Sequence, residues 1–320
     1  MIKGKKRALV LAAVLVLALF AAACGPKSEE DYFIQADRQF EKGLFREAVK
    51  TYRLYLADFP EGSLRDKALF RSGEIRYYAL ARRASAVLDF SRLIQHHPFS
   101  DYSFQAREIL AGVFRDETHD YGRAILEYQW LLNRRPESPK AAGFQFQIAR
   151  CRFLDNNIEQ AVLEFGRFIK RYPHSGLIER GYDELGGAHM ILGRPDQALF
   201  IFQRMISLFP ESPLRPAVEF KMGACLEEMQ RYPEALKVYS GLRGRYNNLR
   251  AVDIRIEGVK ARQKNKKGKA CPVNYAYRPK FVPRRNKVSS REAPRIVETG
   301  KKKAGPGPVV IEGLNVRVKN

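Results

Sequence analysis

Proline returns along this chain at an almost fixed interval, and that interval limits the possible folds more than any other feature. Pro60, Pro98, Pro136, Pro173 and Pro210 are separated by 38, 38, 37 and 37 residues. Each stands in a similar setting: Phe59-Pro60-Glu61-Gly62-Ser63, His97-Pro98-Phe99-Ser100, Arg135-Pro136-Glu137-Ser138, Tyr172-Pro173-His174-Ser175 and Phe209-Pro210-Glu211-Ser212. A sixth copy falls at Tyr246-Asn247, with Asn in place of Pro. Twelve residues before these six positions stand Ala48, Ala86, Ala124, Ala161, Ala198 and Ala235. Eight residues before them stand Tyr52, Phe90, Tyr128, Phe165, Phe202 and Tyr239. Twenty-four before are Ala36, Glu74, Gly112, Ala149, Gly186 and Gly223, small in five of six, with Gly73 beside the exception.

This register has a direct physical reading. Alanine and the aromatic are four residues apart, so they share one face of a helix. A small residue lets a second helix approach, and the aromatic ring fills the space beside it. Proline cannot continue a helix interior, so it ends the second helix of a pair. The serine two or three residues later can cap the next helix. Gly43 and Gly193, in equivalent places, suit the turn inside a pair. A single pair leaves an apolar face uncovered, so the pairs must stack. The expected fold is all-α: a solenoid of about six helix pairs over residues 30–262, with the amphipathic segment 249–262 (Leu249, Val252, Ile256, Val259) closing its end.

Small residue, Ala, aromatic and Pro at these intervals resemble tetratricopeptide repeats. The period is longer than the usual about 34 residues, and the extra length is expected around the Pro-x-Ser turns or as an added helical turn. In such repeats the first helix of each pair lines a concave face that binds protein segments. By this register the partner-binding candidates are Phe33, Asp37, Phe40, Arg71, Tyr78, Ile109, Phe146, Arg150, Phe153 and Met190, aromatic and Arg residues being common anchors of interfaces.

The chain begins with Lys3, Lys5, Lys6 and Arg7, followed by an uncharged run over 8–23 that ends Ala21-Ala22-Ala23, and then Cys24. A charged start, a short apolar stretch and small terminal residues make an export signal over 1–23. A cysteine directly after it reads as a lipidation site, with Ala21 where the usual pattern has Leu. Residues 24–29 would link the lipid to the repeats. Gly25, by resemblance to sorted lipoproteins, implies release to the periplasmic face of the outer membrane.

A lipidated cysteine followed at once by long-period repeats resembles the BamD (YfiO) family of outer-membrane lipoproteins. The opening unit carries this likeness: Ala36 to Gly43, then Arg46-Glu47-Ala48-Val49, Tyr52 and Asp58-Phe59-Pro60. The resemblance implies a non-catalytic scaffold in β-barrel outer-membrane protein assembly, whose partners are the barrel-building subunit and unfolded barrel substrates. Six pairs, where that family typically has five, and a long basic tail are departures from it. The turns also resemble those of a Tol-Pal-associated division-coordinator family, and a cell-envelope adaptor in division, pilus or polysaccharide secretion, its tail binding anionic polymer or lipid, forms the alternative.

The formal charge of +22 is concentrated at the chain's ends. Residues 260–320 hold 18 Lys/Arg against 3 Asp/Glu, and residues 1–23 contribute four cations, which leaves about +3 for the rest. The tail, 263–320, is rich in charge and punctuated by proline, a composition that favours disorder. Its expected partner is anionic lipid or polysaccharide rather than nucleic acid, since export removes the latter; Tyr275 and Tyr277 lie within it, and residues 308–318 partly alternate like a strand. None of the five histidines has metal-motif spacing. No phosphate loop or nucleophile elbow is present, so neither enzyme chemistry nor a cofactor is expected. Glu227-Glu228 reads as surface charge. Cys151 and Cys225, 74 residues apart, occupy the same slot two repeats apart and are too distant to pair; Cys271 lies in the tail.

Overall fold

A computed structural model describes residues 27–266. The signal segment, Cys24, Cys271 and all of the tail beyond residue 266 lie outside the described residues, including Tyr275, Tyr277 and the strand-like stretch 308–318. Thirteen helices are described, arranged as six antiparallel pairs and a closing helix. The pairs are α1 (Glu29–Glu41) with α2 (Phe45–Asp58), α3 (Arg65–Glu74) with α4 (Arg83–His96), and α5 (Asp101–Asp116) with α6 (Tyr121–Arg134). They continue as α7 (Ala141–Leu154) with α8 (Ile158–Arg171), α9 (Ile178–Ile191) with α10 (Pro195–Leu208), and α11 (Arg215–Glu228) with α12 (Tyr232–Gly241). The closing helix is α13 (Leu249–Lys266), so the first four residues assigned to the tail are helical.

The repeated residues do what their spacing requires. All six alanines have no exposed surface, and the six aromatics are buried beside them. Each of the first five second helices stops two residues before its proline. Six residues then connect one pair to the next, four between α4 and α5, against three or four inside a pair, except that eight residues, 75–82, join α3 to α4. The lengthened period therefore resides around the Pro-x-Ser turns. Those serines act somewhat differently from expectation. Ser100 caps α5, accepting from the Tyr102 N–H at 3.2 Å. Ser138, Ser175 and Ser212 likewise accept the N–H two residues on, at 3.1–3.2 Å, but stand three residues ahead of the helix and form a turn there rather than a cap. Serine hydroxyls also tie pairs together: Ser63 donates to Glu29 (3.2 Å), Ser100 to Asp66 (2.5 Å) and Ser212 to Glu179 (2.6 Å), the acids holding one register in the first helices.

The small-residue slot needs correction in two pairs. A Cβ on Gly73, Gly186 or Gly223 would lie 2.2–2.6 Å from the ring of Phe90, Phe202 or Tyr239. Ala36, Ala111 and Ala149 fill the slot elsewhere with no exposed surface. Gly73 and Ala111 therefore replace Glu74 and Gly112; a Cβ on Gly112 would meet nothing within 4 Å. In these pairs the slot precedes its alanine by 13 residues rather than 12. The additional residue is absorbed as a π turn, a single-residue insertion in a helix. In pair two it spans Ile75–Ala79, with the Leu80 N–H donating to Ile75 O at 3.0 Å. In pair three the Thr118 N–H reaches back five residues to Val113 O at 3.1 Å. Behind the first π turn, buried Asp89 accepts from Ser72 and Arg76, both at 2.8 Å.

Every pair turns through one residue with positive φ: Gly43, Ala81, His119, Asn156, Gly193 and Gln230. In pairs one, four, five and six this residue closes the first helix with paired backbone bonds, as Gly43 N–H to Phe40 O (2.9 Å) and Leu44 N–H to Gln39 O (2.8 Å) illustrate. The two glycines adopt this conformation freely, whereas a Cβ there costs about 1–2 kcal/mol. Ala81→Gly is accordingly expected to stabilise the fold by up to about 1 kcal/mol, after the added freedom of the unfolded chain is subtracted. Thermal unfolding should register a rise of a few degrees; a fall would contradict this account of the turn.

Three contiguous clusters of buried side chains run along the stack. The closing helix buries Val252, Ile256 and Val259 against the last pair, while Leu249 stays half-exposed. First helices of neighbouring pairs touch directly, α3 with α5 and α9 with α11, and no two second helices approach as closely. The first helices thus form the inner side of the stack, and the second helices splay outward.

Candidate docking face on the first helices

Counted from the small slot, residues two before it and one or four after it project from the inner side of each first helix. Asp37, Phe40, Arg71, Ile109, Arg150, Phe153 and Met190 occupy these places, all half-buried except the exposed Phe40. Tyr78, 67% exposed, stands at the end of the π turn, edge-on to Tyr77. Phe33 and Phe146 do not belong to this face. They lie three residues before the slot, which turns their rings onto the second helix of their own pair. Phe33 packs on Tyr52 and Tyr55, both with centroids at 5.3 Å, and Phe146 packs on Phe165 (5.8 Å) and Phe168 (5.4 Å). At 4% and 1% exposure they are core residues.

Two groups of inner-side residues are brought together. In pairs one and two, Asp37 accepts the Tyr52 hydroxyl at 3.0 Å, and Arg71 bonds Glu74 at 3.1 Å. The Arg71 guanidinium also lies over the Phe40 ring at 5.9 Å and interacts with the Tyr52 hydroxyl. Burial, with the Asp37 carboxylate adding to it, pushes the Tyr52 phenol well above its usual range, so it acts as a donor only. In pairs four to six, Arg150 faces Glu184 at 4.0 Å, and Lys221 reaches Asp183 at 2.5 Å. Burial raises the Glu184 carboxyl, while Arg150 draws it back. Phe153 and Met190 form the apolar flank of this group.

Glu184 and Lys221 escaped the sequence reading although their signal was present. Arg71, Ile109, Gln147, Glu184 and Lys221 are spaced by 38, 38, 37 and 37 residues, the repeat period itself. The choice of Tyr or Phe at the repeated aromatic slot also bears on this side. Tyr52, Tyr128 and Tyr239 each extend a hydroxyl to a first-helix charge, Asp37, Arg115 (3.0 Å) and Glu227 (2.6 Å). Glu227 is not surface charge. It is 5% exposed and accepts from Tyr239 and from Arg262 at 2.8 Å, with Arg255 at 3.5 Å.

A separate cleft of about 380 Å³ opens where pairs three and four meet, between Phe104, Leu131, Arg135 and Phe144, with Lys140 bonded to Glu108 across its rim. Among the described residues no group of His, Cys, Asp or Glu converges as metal ligands would. Cys151 and Cys225 are free and fully buried, and burial pushes their thiols up to about 11 and about 12. They are protonated at neutral pH and serve as packing. The inner side offers paired charges and exposed aromatic or thioether surface, which suit recognition of a polypeptide.

Residues 144–175, from the first helix of pair four through its Pro-x-Ser turn, match the tetratricopeptide repeat family model. No curated protein matches the chain. Among solved structures, a tetratricopeptide repeat protein from Parabacteroides merdae ATCC 43184 is 15% identical, with a TM-score of 0.47, over 75% of this chain and 88% of that one. PilW, a widely conserved type IV pilus biogenesis factor, is 13% identical with a TM-score of 0.44, over 71% and 99%. The Naa15/Naa10 complex bound to HypK-THB gives 15% identity and a TM-score of 0.50, over 75% of this chain and 35% of that one. Residues 144–175 thus match that repeat, and the six helix pairs form an all-α, tetratricopeptide-like stack with a closing helix.

Proposed function

We propose that the protein is a non-catalytic scaffold that grips other proteins along its first helices, held by lipid at Cys24 on the periplasmic face of the outer membrane and accessory to the assembly of β-barrel outer-membrane proteins. The observation that carries the scaffold reading is the inner-side ladder at the repeat period, which leaves Arg71, Arg150, Glu184 and Lys221 accessible beside Phe40, Phe153 and Met190. Solitary exposed residues are ordinary on any protein; aligned ones on successive helices form a continuous track for an extended or helical segment. The anchoring reading rests on the charged and apolar start, Ala21-Ala22-Ala23 and Cys24.

The test is recovery of partners from detergent-solubilised envelope with the full chain as bait. The barrel-building subunit should be recovered, and Arg150→Glu should reduce that recovery severalfold. Recovery only of pilus, polysaccharide-secretion or division components would replace the assembly role by an adaptor role. Globomycin, or Cys24→Ser, should block acylation, detected as loss of labelled palmitate from the protein; unchanged labelling would remove the lipid from the proposal.

A further inference from the structure

The outward side of the stack carries a second ladder, unrelated to the inner one. Leu88, Leu126, Leu163 and Phe200 are 44%, 64%, 53% and 59% exposed. Each stands two residues before the buried aromatic of its second helix, so the four repeat at 38, 37 and 37 residues. The first and last pairs place Lys50 and Lys237 in this slot, both exposed. One helical turn further on, at i+4 and therefore on the same face, the four middle pairs carry Arg92, Trp130, Arg167 and Arg204. No Asp or Glu occupies either slot in any of the six pairs. Arg167 is paired with Glu164 at 2.7 Å, at the edge of this face. Trp130 is the chain's single tryptophan, half-buried under the Arg107 guanidinium at 4.1 Å.

From this arrangement we infer that the outward face of the middle second helices docks on an anionic phospholipid bilayer. Protruding apolar side chains backed by arginine, with tryptophan among them, match the layers of a bilayer surface: acyl chain, interface and phosphate. A guanidinium donates two hydrogen bonds to a phosphate. Of the acids one turn earlier on these helices, Glu159 is held by Arg194 at 2.6 Å and Asp196 is exposed, so the arginines and lysines of the two slots supply the attraction to an anionic surface. The shape of the face selects a bilayer over a protein partner. Second helices diverge, so the four side chains project singly from a splayed surface, and a rigid partner would need a matching row of pockets. A fluid bilayer closes around such projections without one. The described helices lie on the membrane in this arrangement; none is long and apolar enough to cross it. The inference stands apart from acylation at Cys24.

Trp130 supplies the probe. The full-length protein is reconstituted into vesicles of phosphatidylethanolamine and phosphatidylglycerol, three to one, with or without bromine on the acyl chains. Bromine should quench Trp130 emission at least twofold, and Leu163→Trp in a Trp130→Phe background should be quenched at least as strongly. Phosphatidylcholine vesicles, or Leu126→Asp with Leu163→Asp, should abolish the quenching while circular dichroism stays unchanged. Protein that floats with vesicles through its N-terminus without quenching would overturn this face while leaving the anchor intact. Quenching that survives the double aspartate variant would also overturn it. So would a dimer in the ultracentrifuge that the same two substitutions dissociate, since a second copy would then cover the face.

Discussion

Alanine at Gly186 is expected to lower the unfolding temperature by several degrees, whereas alanine one residue on, at Gly187, raises it by a few. Both glycines lie inside α9, and alanine is favoured over glycine there by about 1 kcal/mol. Space decides the difference in sign. A Cβ on Gly186 would fall 2.2 Å from Cε1 of Phe202, whose ring is fully buried and has nowhere to retreat. Overpacking of that kind costs about 1–3 kcal/mol, and a Phe ring locked at the centre of a cluster places it at the upper end. A Cβ on Gly187 would meet nothing within 4 Å, so the propensity gain is retained in full. For a folded region of this size, 1 kcal/mol corresponds to about 2–4 °C. Differential scanning calorimetry of the two variants beside the parent checks both signs at once. Equal shifts would mean that the small slot does not set the distance between paired helices.

Removing the Glu227 carboxylate should have the largest effect at any one polar site. This side chain lies at the joint of the last pair and the closing helix, and it accepts from Tyr239, Arg255 and Arg262. Burial, together with Glu227, raises the Tyr239 phenol far above its ordinary range, so the hydroxyl stays a donor at all relevant pH. Breaking a buried ionic cluster by deleting one member costs about 3–5 kcal/mol, because the remaining charges keep their desolvation penalty. Glu227→Ala should therefore release the closing helix first, uncovering Val252, Ile256 and Val259. Hydrogen exchange should show protection lost over α12 and α13, with much smaller change over α1–α6, since each pair in such a stack depends chiefly on its neighbours. A loss spread evenly over all thirteen helices would contradict nearest-neighbour stacking.

Much of this was legible in the sequence, for a physical reason: alanine, aromatic and proline each act locally, and their spacing survives intact in every pair. The inner side was partly legible. Asp37, Arg71 and Arg150 followed from the register, whereas Phe33 and Phe146 were misplaced because a shift of one residue moves a helical side chain by about 100°. The same sensitivity hid Gly73 and Ala111 behind Glu74 and Gly112. A single inserted residue is taken up by a π turn that no composition signals. The turns at Ala81, His119 and Gln230 were equally silent, since only Gly43 and Gly193 advertise a positive φ. Glu227 looked like solvent-facing charge until the closing helix, which begins eight residues after α12 ends, folded back over it with two arginines.

The account turns on the inner side being where other proteins are held. Photo-crosslinking residues inserted singly at Asp37, Arg150 and Met190, and at the exposed second-helix positions Gln160 and Glu234, test this in intact cells. Adducts to protein should form from the first three and be absent from the last two. Adducts only from Gln160 and Glu234, or none differing between the two sets, would contradict it.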